Sequence, residues 1–407
     1  MKVKVALVFV LLFIISCRES IEAPDETYIK VYGNEGLSYG EKIKQIDGRT
    51  MILGKTSRLK FVSQQVSEEK ILPSVFISNA SGNIIDKRLY DVAAILESDN
   101  QISLVDVQKL SDRTFQVYGE WQGIPDHYLN FKINLPFRIH LDSKFSPLDF
   151  EPLNNSLWDP IVRTDPMLFD FGQGSNYLLY RQTFHNNTDN PIRHSLQQLN
   201  DLGEVQWSLD YIRPSIIAVN AAWDLEQGNL GELLVLAQHS NDVVIYRIQE
   251  NNGGEISRHV LDETVFQDRY EWPGSLVKLE NGYAAVYRIR SGNVTCQFLD
   301  EDLSKGKRLT ISQNNSNPKD EIVVDAEPTP DGHLVILTRD QEPTNSEITG
   351  YIRKVSKEGN LLWEYFLDGI PEDVEILEDS ILVIYNPIYN GQQRKTTVLK
   401  IRLNGTL

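Results

Sequence analysis

Short apolar runs bounded by turn residues dominate this chain. Tyr283-Ala284-Ala285-Val286-Tyr287, Leu233-Leu234-Val235-Leu236-Ala237, Val243-Val244-Ile245-Tyr246 and Leu334-Val335-Ile336-Leu337 are rich in β-branched and aromatic residues and flanked by Gly, Asn and Asp. Runs of this length and composition predict strands with little solvent on either face. Helical periodicity is scarce: parts of 60–72 and 214–226 have room for a helical turn or two, but neither carries a capped amphipathic stripe.

The runs recur. With Gly48, Asp112, Gly174, Gly231, Gly282, Gly332 and Asp379 as markers of a turn followed by an apolar strand, the intervals are 64, 62, 57, 51, 50 and 47 residues. Seven units of about four short strands predict an all-β propeller, because each sheet of such a ring buries its two faces only against its neighbours. Six or eight units remain open, since the early intervals are long and 95–170 reads as irregular. A pair of β-sandwiches is the alternative, and it leaves the period unexplained. The clearest unit is Ser275 to Ile311, and the next repeats it from Asp331-Gly332 to Tyr365. The last unit, built from Val374–Leu377, Ser380–Tyr385 and Thr396–Leu403, stops at Leu407 one strand short. Thr27 to Gly33 has the character of the missing outer strand, so the amino terminus is expected to complete the carboxy-terminal blade and remove the free edge.

A second signature lies inside the units. Leu199-Asn200-Asp201-Leu202-Gly203-Glu204-Val205-Gln206-Trp207 and Val355-Ser356-Lys357-Glu358-Gly359-Asn360-Leu361-Leu362-Trp363 share G-x-x-x-W, with weaker echoes around Gly82 and Gly405. The spacing resembles the repeat of quinoprotein-like propellers. Locally it implies a left-handed glycine between third and fourth strands and a tryptophan packed on the adjacent blade. Sialidase Asp-boxes differ, with their Trp one residue sooner and a Ser or Thr two before the Asp, where this chain has Leu199.

The first seventeen residues follow another pattern. Lys2 and Lys4 precede an apolar run from Val5 to Ile15 that ends in Ser16-Cys17. The run is too short to span a bilayer and has the basic front of an export signal. A small residue directly before cysteine resembles the bacterial lipobox, which implies cleavage before Cys17 and acylation of its thiol and new amino group. The alternative is an ordinary signal peptide, but no A-x-A-like site follows. Residues 1–16 are therefore expected to be a signal peptide, 17–25 a lipidated tether and 26–407 a single propeller domain. Arg18 stands where an inner-membrane retention signal of the enterobacterial kind has Asp, so the outer membrane is expected, with the periplasmic or surface-facing side open.

Composition sharpens this. With 41% hydrophobic and 24% charged residues the chain reads as globular. Its formal charge of −17 becomes about −19 once the signal's two lysines are gone, which argues against nucleic acid and against membrane binding by surface charge. With Cys17 acylated, Cys296 is the one remaining thiol and reads as a buried structural residue. Seven histidines form neither H-x-x-x-H nor H-E-x-x-H, Asp300-Glu301-Asp302 lacks the spacing of a calcium loop, and no G-x-S-x-G elbow or P-loop is present. No catalytic residue, metal or cofactor is assigned.

Candidate chemistry is left to loops at one end of the ring: Trp158-Asp159-Pro160, Tyr211-Ile212-Arg213-Pro214, Asp268-Arg269-Tyr270-Glu271-Trp272 and Pro371-Glu372-Asp373. Arg269, Tyr270, Trp272, Arg213, Trp158 and Asp159 are the binding candidates, because exposed aromatics and arginines carry binding energy; the plainer reading of Trp158 and Trp272 is that they plug the channel or cap a blade. The expected function is that of a monomeric, lipid-anchored binding or scaffolding propeller, whose partner is an envelope protein or glycan. By its anchor and repeats alone it is similar in build to propeller lipoproteins that assist outer-membrane β-barrel assembly. The alternative is an envelope enzyme on the same scaffold, a quinoprotein-like dehydrogenase or a glycan hydrolase or lyase.

Overall fold

The computed structural model describes residues 27–32, 38–62, 65–90, 101–111, 114–123, 133–152, 162–170, 176–184, 192–200, 205–211, 221–229, 231–239, 242–263, 274–289, 292–311, 321–340, 349–389 and 393–406. These form a seven-bladed propeller. Blade 1 comprises β2 (Ser38–Ile46), β3 (Arg49–Val62), β4 (Gln65–Ser78) and β5 (Ile84–Leu89); blade 2, β6 (Gln101–Ser111), β7 (Thr114–Gly123), β8 (Ile133–Leu141) and β9 (Pro147–Pro152); blade 3, β10 (Val162–Asp170), β11 (Asn176–Phe184), β12 (Ile192–Leu199) and β13 (Val205–Tyr211). Blade 4 comprises β14 (Ala221–Gln227), β15 (Glu232–His239), β16 (Asp242–Gln249) and β17 (Glu255–Glu263); blade 5, β18 (Ser275–Leu279), β19 (Gly282–Arg288), β20 (Val294–Leu299) and β21 (Lys305–Thr310); blade 6, β22 (Glu321–Pro328), β23 (Leu334–Asp340), β24 (Thr349–Val355) and β25 (Leu361–Asp368). Blade 7 takes β26 (Ile370–Ile376), β27 (Ser380–Asn386) and β30 (Thr396–Arg402) from the end of the chain and β1 (Tyr28–Tyr32) from its start, with a small hairpin of β28 (Ile388–Tyr389) and β29 (Gln393–Arg394) between β27 and β30.

The expected closure is observed. β1 pairs antiparallel with β30, from Tyr28 opposite Lys400 to Tyr32 opposite Thr396. Alternation then divides its side chains. Tyr28, Lys30 and Tyr32 turn toward blade 1, where the Tyr32 hydroxyl donates to the Gly82 carbonyl at 2.8 Å and Lys30 Nζ to Asn83 Oδ1 at 3.3 Å. Ile29 and Val31 stay exposed.

The core lies between blades. Six apolar clusters each join two neighbouring sheets; one joins blades 1 and 2 through Met51, Leu53, Ile77, Leu104, Val117 and Phe137, another blades 7 and 1 through Tyr32, Ile43, Phe76, Ile384 and Val398. A sheet covered on both faces explains why β19 and β20 are buried at every position and read as continuous apolar runs. Cys296 sits in the cluster between blades 5 and 6, and burial pushes its thiol well up. The Asp300–Asp302 run is a turn, with Ser304 Oγ donating to Asp300 and Asp302 at 3.0 and 2.7 Å.

The local reading of the glycine and tryptophan positions also holds. Gly359 adopts φ +71° in the turn before β25, and Trp363 from that strand packs under Gly405 of blade 7 while its indole N–H donates to the Leu403 carbonyl at 3.2 Å. Trp207 of blade 3 does the same to blade 4, against Gly253 and with 2.8 Å to the Glu250 carbonyl. Tyr28 occupies the corresponding place against Gly82.

Two expectations are corrected. No helix occurs among the described residues: 60–62 and 65–72 belong to β3 and β4, whose fourteen-residue strands pair as far as Val62 and Gln65, and 221–226 belongs to β14, while 63–64 and 214–220 lie outside the described residues. Residues 95–170 supply regular strands β6 to β10, and the early intervals are long because strands such as β3 and β4 are long.

Deleting 27–32 is expected to lower the melting temperature by far more than trimming a surface segment, since it unpairs β30 and uncovers Phe76 and Gly82. An unchanged melt would refute closure by β1.

Candidate functional site

The innermost strands carry a repeated irregularity that places carboxylates around the central channel. In β2, β6, β14, β22 and β26 the register to the second strand slips by one residue, at Gly40/Lys42, Leu104/Asp106, Ala222/Asp224, Val323/Asp325 and Pro371/Asp373. A bulge re-aims the residue that follows it, and that residue is Asp in four blades and Lys42 in the first. Three of the four then bridge to the next blade. Asp224 accepts from Leu276 N of blade 5 at 2.7 Å and from Ser275 Oγ at 2.9 Å; Asp373 accepts from Ile43 N of blade 1 at 2.7 Å; Asp325 accepts from Val374 N of blade 7 at 3.4 Å. Two residues further on, Glu226 and Glu375 accept from Lys278 N and Gln45 N, both at 3.1 Å. The sequence pattern is D-x-E, at Asp224-Leu225-Glu226, Asp325-Ala326-Glu327 and Asp373-Val374-Glu375.

Lys42 and Lys44 counter the acidity. Lys42 Nζ lies 2.7 Å from Asp373 Oδ1 and Lys44 Nζ 3.3 Å from Asp106 Oδ1. Burial alone would push Lys42 down, but Asp373, Asp325 and Asp106 outweigh it and hold the ammonium well above its ordinary range. Burial likewise drives Asp224 up to about 7, against the amides that favour its carboxylate. Glu327 rises to about 8 through burial and the nearby Asp325. Burial pushes Asp373 up against the pull of Lys42.

The densest part of the site is the seam between blades 7 and 1. Asn386 Nδ2 donates to the Gly40 carbonyl at 2.9 Å and its Oδ1 accepts from Gly40 N at 3.1 Å, while Tyr39 Oη donates to Glu372 at 2.6 Å. A Cβ on Gly40 would stand 2.2 Å from Ile384 Cδ1 and 2.7 Å from Thr396 Cγ2, so a larger residue there requires these packed side chains to shift. At the short-turn end of the seam lies a cavity of about 640 Å³ lined by Tyr28, Gln45, Thr50, Glu378, Asp379 and Lys400. Among the described residues, no group of three or more His, Cys, Asp or Glu side chains is arranged to hold a metal ion.

The binding candidates Trp158, Asp159, Arg213, Arg269, Tyr270 and Trp272, and the lipidation candidate Cys17, lie outside the described residues. The fourth expected loop, Pro371-Glu372-Asp373, is corrected: it is part of β26, because blade 6 passes to blade 7 through the single residue Gly369. The bulge between Pro371 and Asp373 lets the strand tolerate a proline. The D-x-E spacing was the available signal for the channel, hidden because acidic residues beside Pro suggest a turn.

No protein-family profile and no curated protein matches this chain. Solved structures do share its fold. A polysaccharide lyase of family 25, an ulvan lyase bound to an oligosaccharide, is 11% identical with a TM-score of 0.53, covering 92% of this chain and 95% of its own. The Dos1 propeller is 8% identical with a TM-score of 0.49, covering 91% and 95%. BamB from Moraxella catarrhalis is 9% identical with a TM-score of 0.42, covering 91% and 100%. At 11% identity the likeness to the ulvan lyase concerns the fold alone.

The raised carboxyls fix a direction for pH dependence. A group whose folded pKa lies above its unfolded one stabilises below the unfolded value and loses that contribution as pH rises through the folded value. For Asp224 the window runs from about 4 to about 7, and for Glu327 from about 4.5 to about 8. Each group contributes at most ~1.4 kcal/mol per pH unit inside its window. Melts should therefore show lower stability at pH 8 than at pH 5, and Glu327→Gln should flatten the slope. A melting temperature that climbs between pH 5 and 8 would contradict this.

Proposed function

We propose that this chain is a lipid-anchored binding propeller of the bacterial envelope. Residues 1–16 are its signal peptide, Cys17 the acylated first residue, 17–25 the tether and 26–407 the ring. One observation carries the reading: the channel carboxylates are engaged by amides of the neighbouring blades, at 2.7 Å for both Asp224 to Leu276 and Asp373 to Ile43. The most prominent polar groups of the ring thus hold blades in register, and recognition falls to the connections between blades. Those connections carry Trp158, Asp159, Arg213, Arg269, Tyr270 and Trp272, in which planar aromatics and guanidinium groups offer anchors for a protein or glycan of the envelope.

The ring suits such a role. Interblade cores and a sheet closed by its own terminus make a stiff platform on which a partner can dock. The resemblance of the G-x-x-x-W spacing to quinoprotein-like repeats finds its use here as a packing device, with Trp207 and Trp363 each riveting one blade to the next.

The test is capture from detergent-solubilised envelope membranes with four forms of the protein. Arg269→Ala and Trp272→Ala should each weaken capture by more than about 1 kcal/mol, as binding anchors do, with melts unchanged. Cys17→Ser should leave the melt and capture intact but move the protein out of the membrane fraction. Retention of the serine form after a salt wash would refute the anchor, and loss of stability without loss of capture would refute the binding site at 268–272.

A further inference from the structure

The outermost strands differ around the ring. On the side of each outer strand turned away from the next blade, blades 2 to 5 expose at most one large apolar residue each, Leu148 in β9 and Ile256 in β17, and β13 and β21 present Gln206, Ser208 and Arg308 there. In three consecutive blades the same side exposes two apolar residues, with Glu364 between them in β25 and Lys87 between them in β5. β25 exposes Leu362 and Phe366, β1 exposes Ile29 and Val31, and β5 exposes Ile85 and Leu89, with relative exposures from 39% at Leu89 to 58% at Val31. Single exposed apolar residues are ordinary, but six alternating positions on three neighbouring edges form a sector.

The sector is centred on β1, the strand into which the amino terminus feeds. Tyr28 is the first residue of that strand and Cys17 lies eleven positions before it. At roughly 3.3 to 3.6 Å per residue a fully stretched tether reaches no further than about 40 Å. An acyl group on Cys17 therefore holds blade 7, and with it the edges of blades 6 and 1, within that distance of the lipid. Charge decides how the ring can approach. A protein of net charge about −19 after loss of the signal's two lysines is repelled when it lays a broad face on anionic headgroups, whereas an edge brings fewer charges near, with Lys87 of β5 and Glu364 of β25 beside the apolar positions.

We propose that the outer edge of blades 6, 7 and 1 rests on the bilayer surface, so that the ring stands edge-on with Ile29, Val31, Ile85, Leu89, Leu362 and Phe366 at the headgroup boundary. The occupant of the apolar sector is thus the lipid surface to which the chain is tied. The contact is interfacial, since the outer strands keep one row of unpaired backbone groups that need water or headgroup partners. Both ends of the central channel then open parallel to the membrane, toward a partner in the same envelope layer. This inference rests on the lipid-anchor reading.

The experiment uses the full mature chain reconstituted in vesicles of phosphatidylethanolamine and phosphatidylglycerol. Single cysteines carrying an environment-sensitive fluorophore are placed by Val31→Cys, Leu89→Cys and Phe366→Cys, with Gln206→Cys and Ser208→Cys on the equivalent side of blade 3 as controls; buried Cys296 stays unlabelled. Brominated lipids should quench the three edge labels at least about twofold more than the controls. Equal quenching at all positions, or none at the edge, overturns the proposal. A second form carries a hexahistidine segment in place of residues 1–17 and is held by nickel-chelating lipid, and mass spectrometry reads whether Cys17 of the mature chain is acylated. An unacylated Cys17 refutes the anchor alone, while a tagged ring whose edge labels remain unquenched refutes the edge contact whatever the fate of Cys17.

Discussion

Closure of the ring is the constraint on which everything else depends. A blade buries its faces only against two neighbours, so a single open seam exposes two sheets and leaves both with one bare face. The seam at risk joins the chain's two ends, and it is where the molecule concentrates its bonds. β1 supplies the outer strand of blade 7 and packs Tyr28 and Tyr32 on blade 1. Asn386 binds both backbone groups of Gly40, Asp373 bridges to Ile43 and Lys42, and Glu375 holds Gln45. Each of the bonds made by Asn386, Asp373 and Glu375 spans more than 300 residues of sequence.

The same logic repeats at lower intensity around the channel. A bulge in the inner strand turns an Asp toward the next blade, where it accepts from a backbone N–H that would otherwise lack a sheet partner. The device carries a cost, because it crowds Asp224, Asp325, Glu327 and Asp373 into one narrow space. Burial and mutual repulsion push Asp224 and Glu327 toward neutrality, and Lys42 is the counter-charge that makes the arrangement tolerable. Blade 1 has Lys42 where blades 2, 4, 6 and 7 have Asp, and at the seam its ammonium lies 2.7 Å from Asp373.

Much of this was legible in the sequence, for reasons that can be named. Continuous apolar runs at β19, β20 and β23 reported sheets buried on both sides, and the missing strand after Thr396–Leu403 pointed to Tyr28–Tyr32. The glycine before Trp363 pointed to the left-handed turn that is found. The channel was not legible, because a bulge breaks the period-two alternation that marks a strand, and Pro371-Glu372-Asp373 then resembles a loop. The hairpin of β3 and β4 was obscured by Lys, Glu and Gln, good helix formers that local strand pairing overrides. Of the candidate site, the glycine-to-tryptophan contacts were foreseen and the carboxylate bridges were missed.

A propeller whose termini share a blade unfolds as a unit only if β1 is as firmly held as the strands it completes. Native-state hydrogen exchange of the amides that β1 shares with β30 measures this directly. If closure governs the fold, those amides exchange with the same opening free energy as the centres of β27 and β30, and denaturant lowers all of them together. Rapid exchange of β1 while β26, β27 and β30 stay fully protected would show that the ring stands without its closing strand, and would contradict the dependence of the structure on that seam.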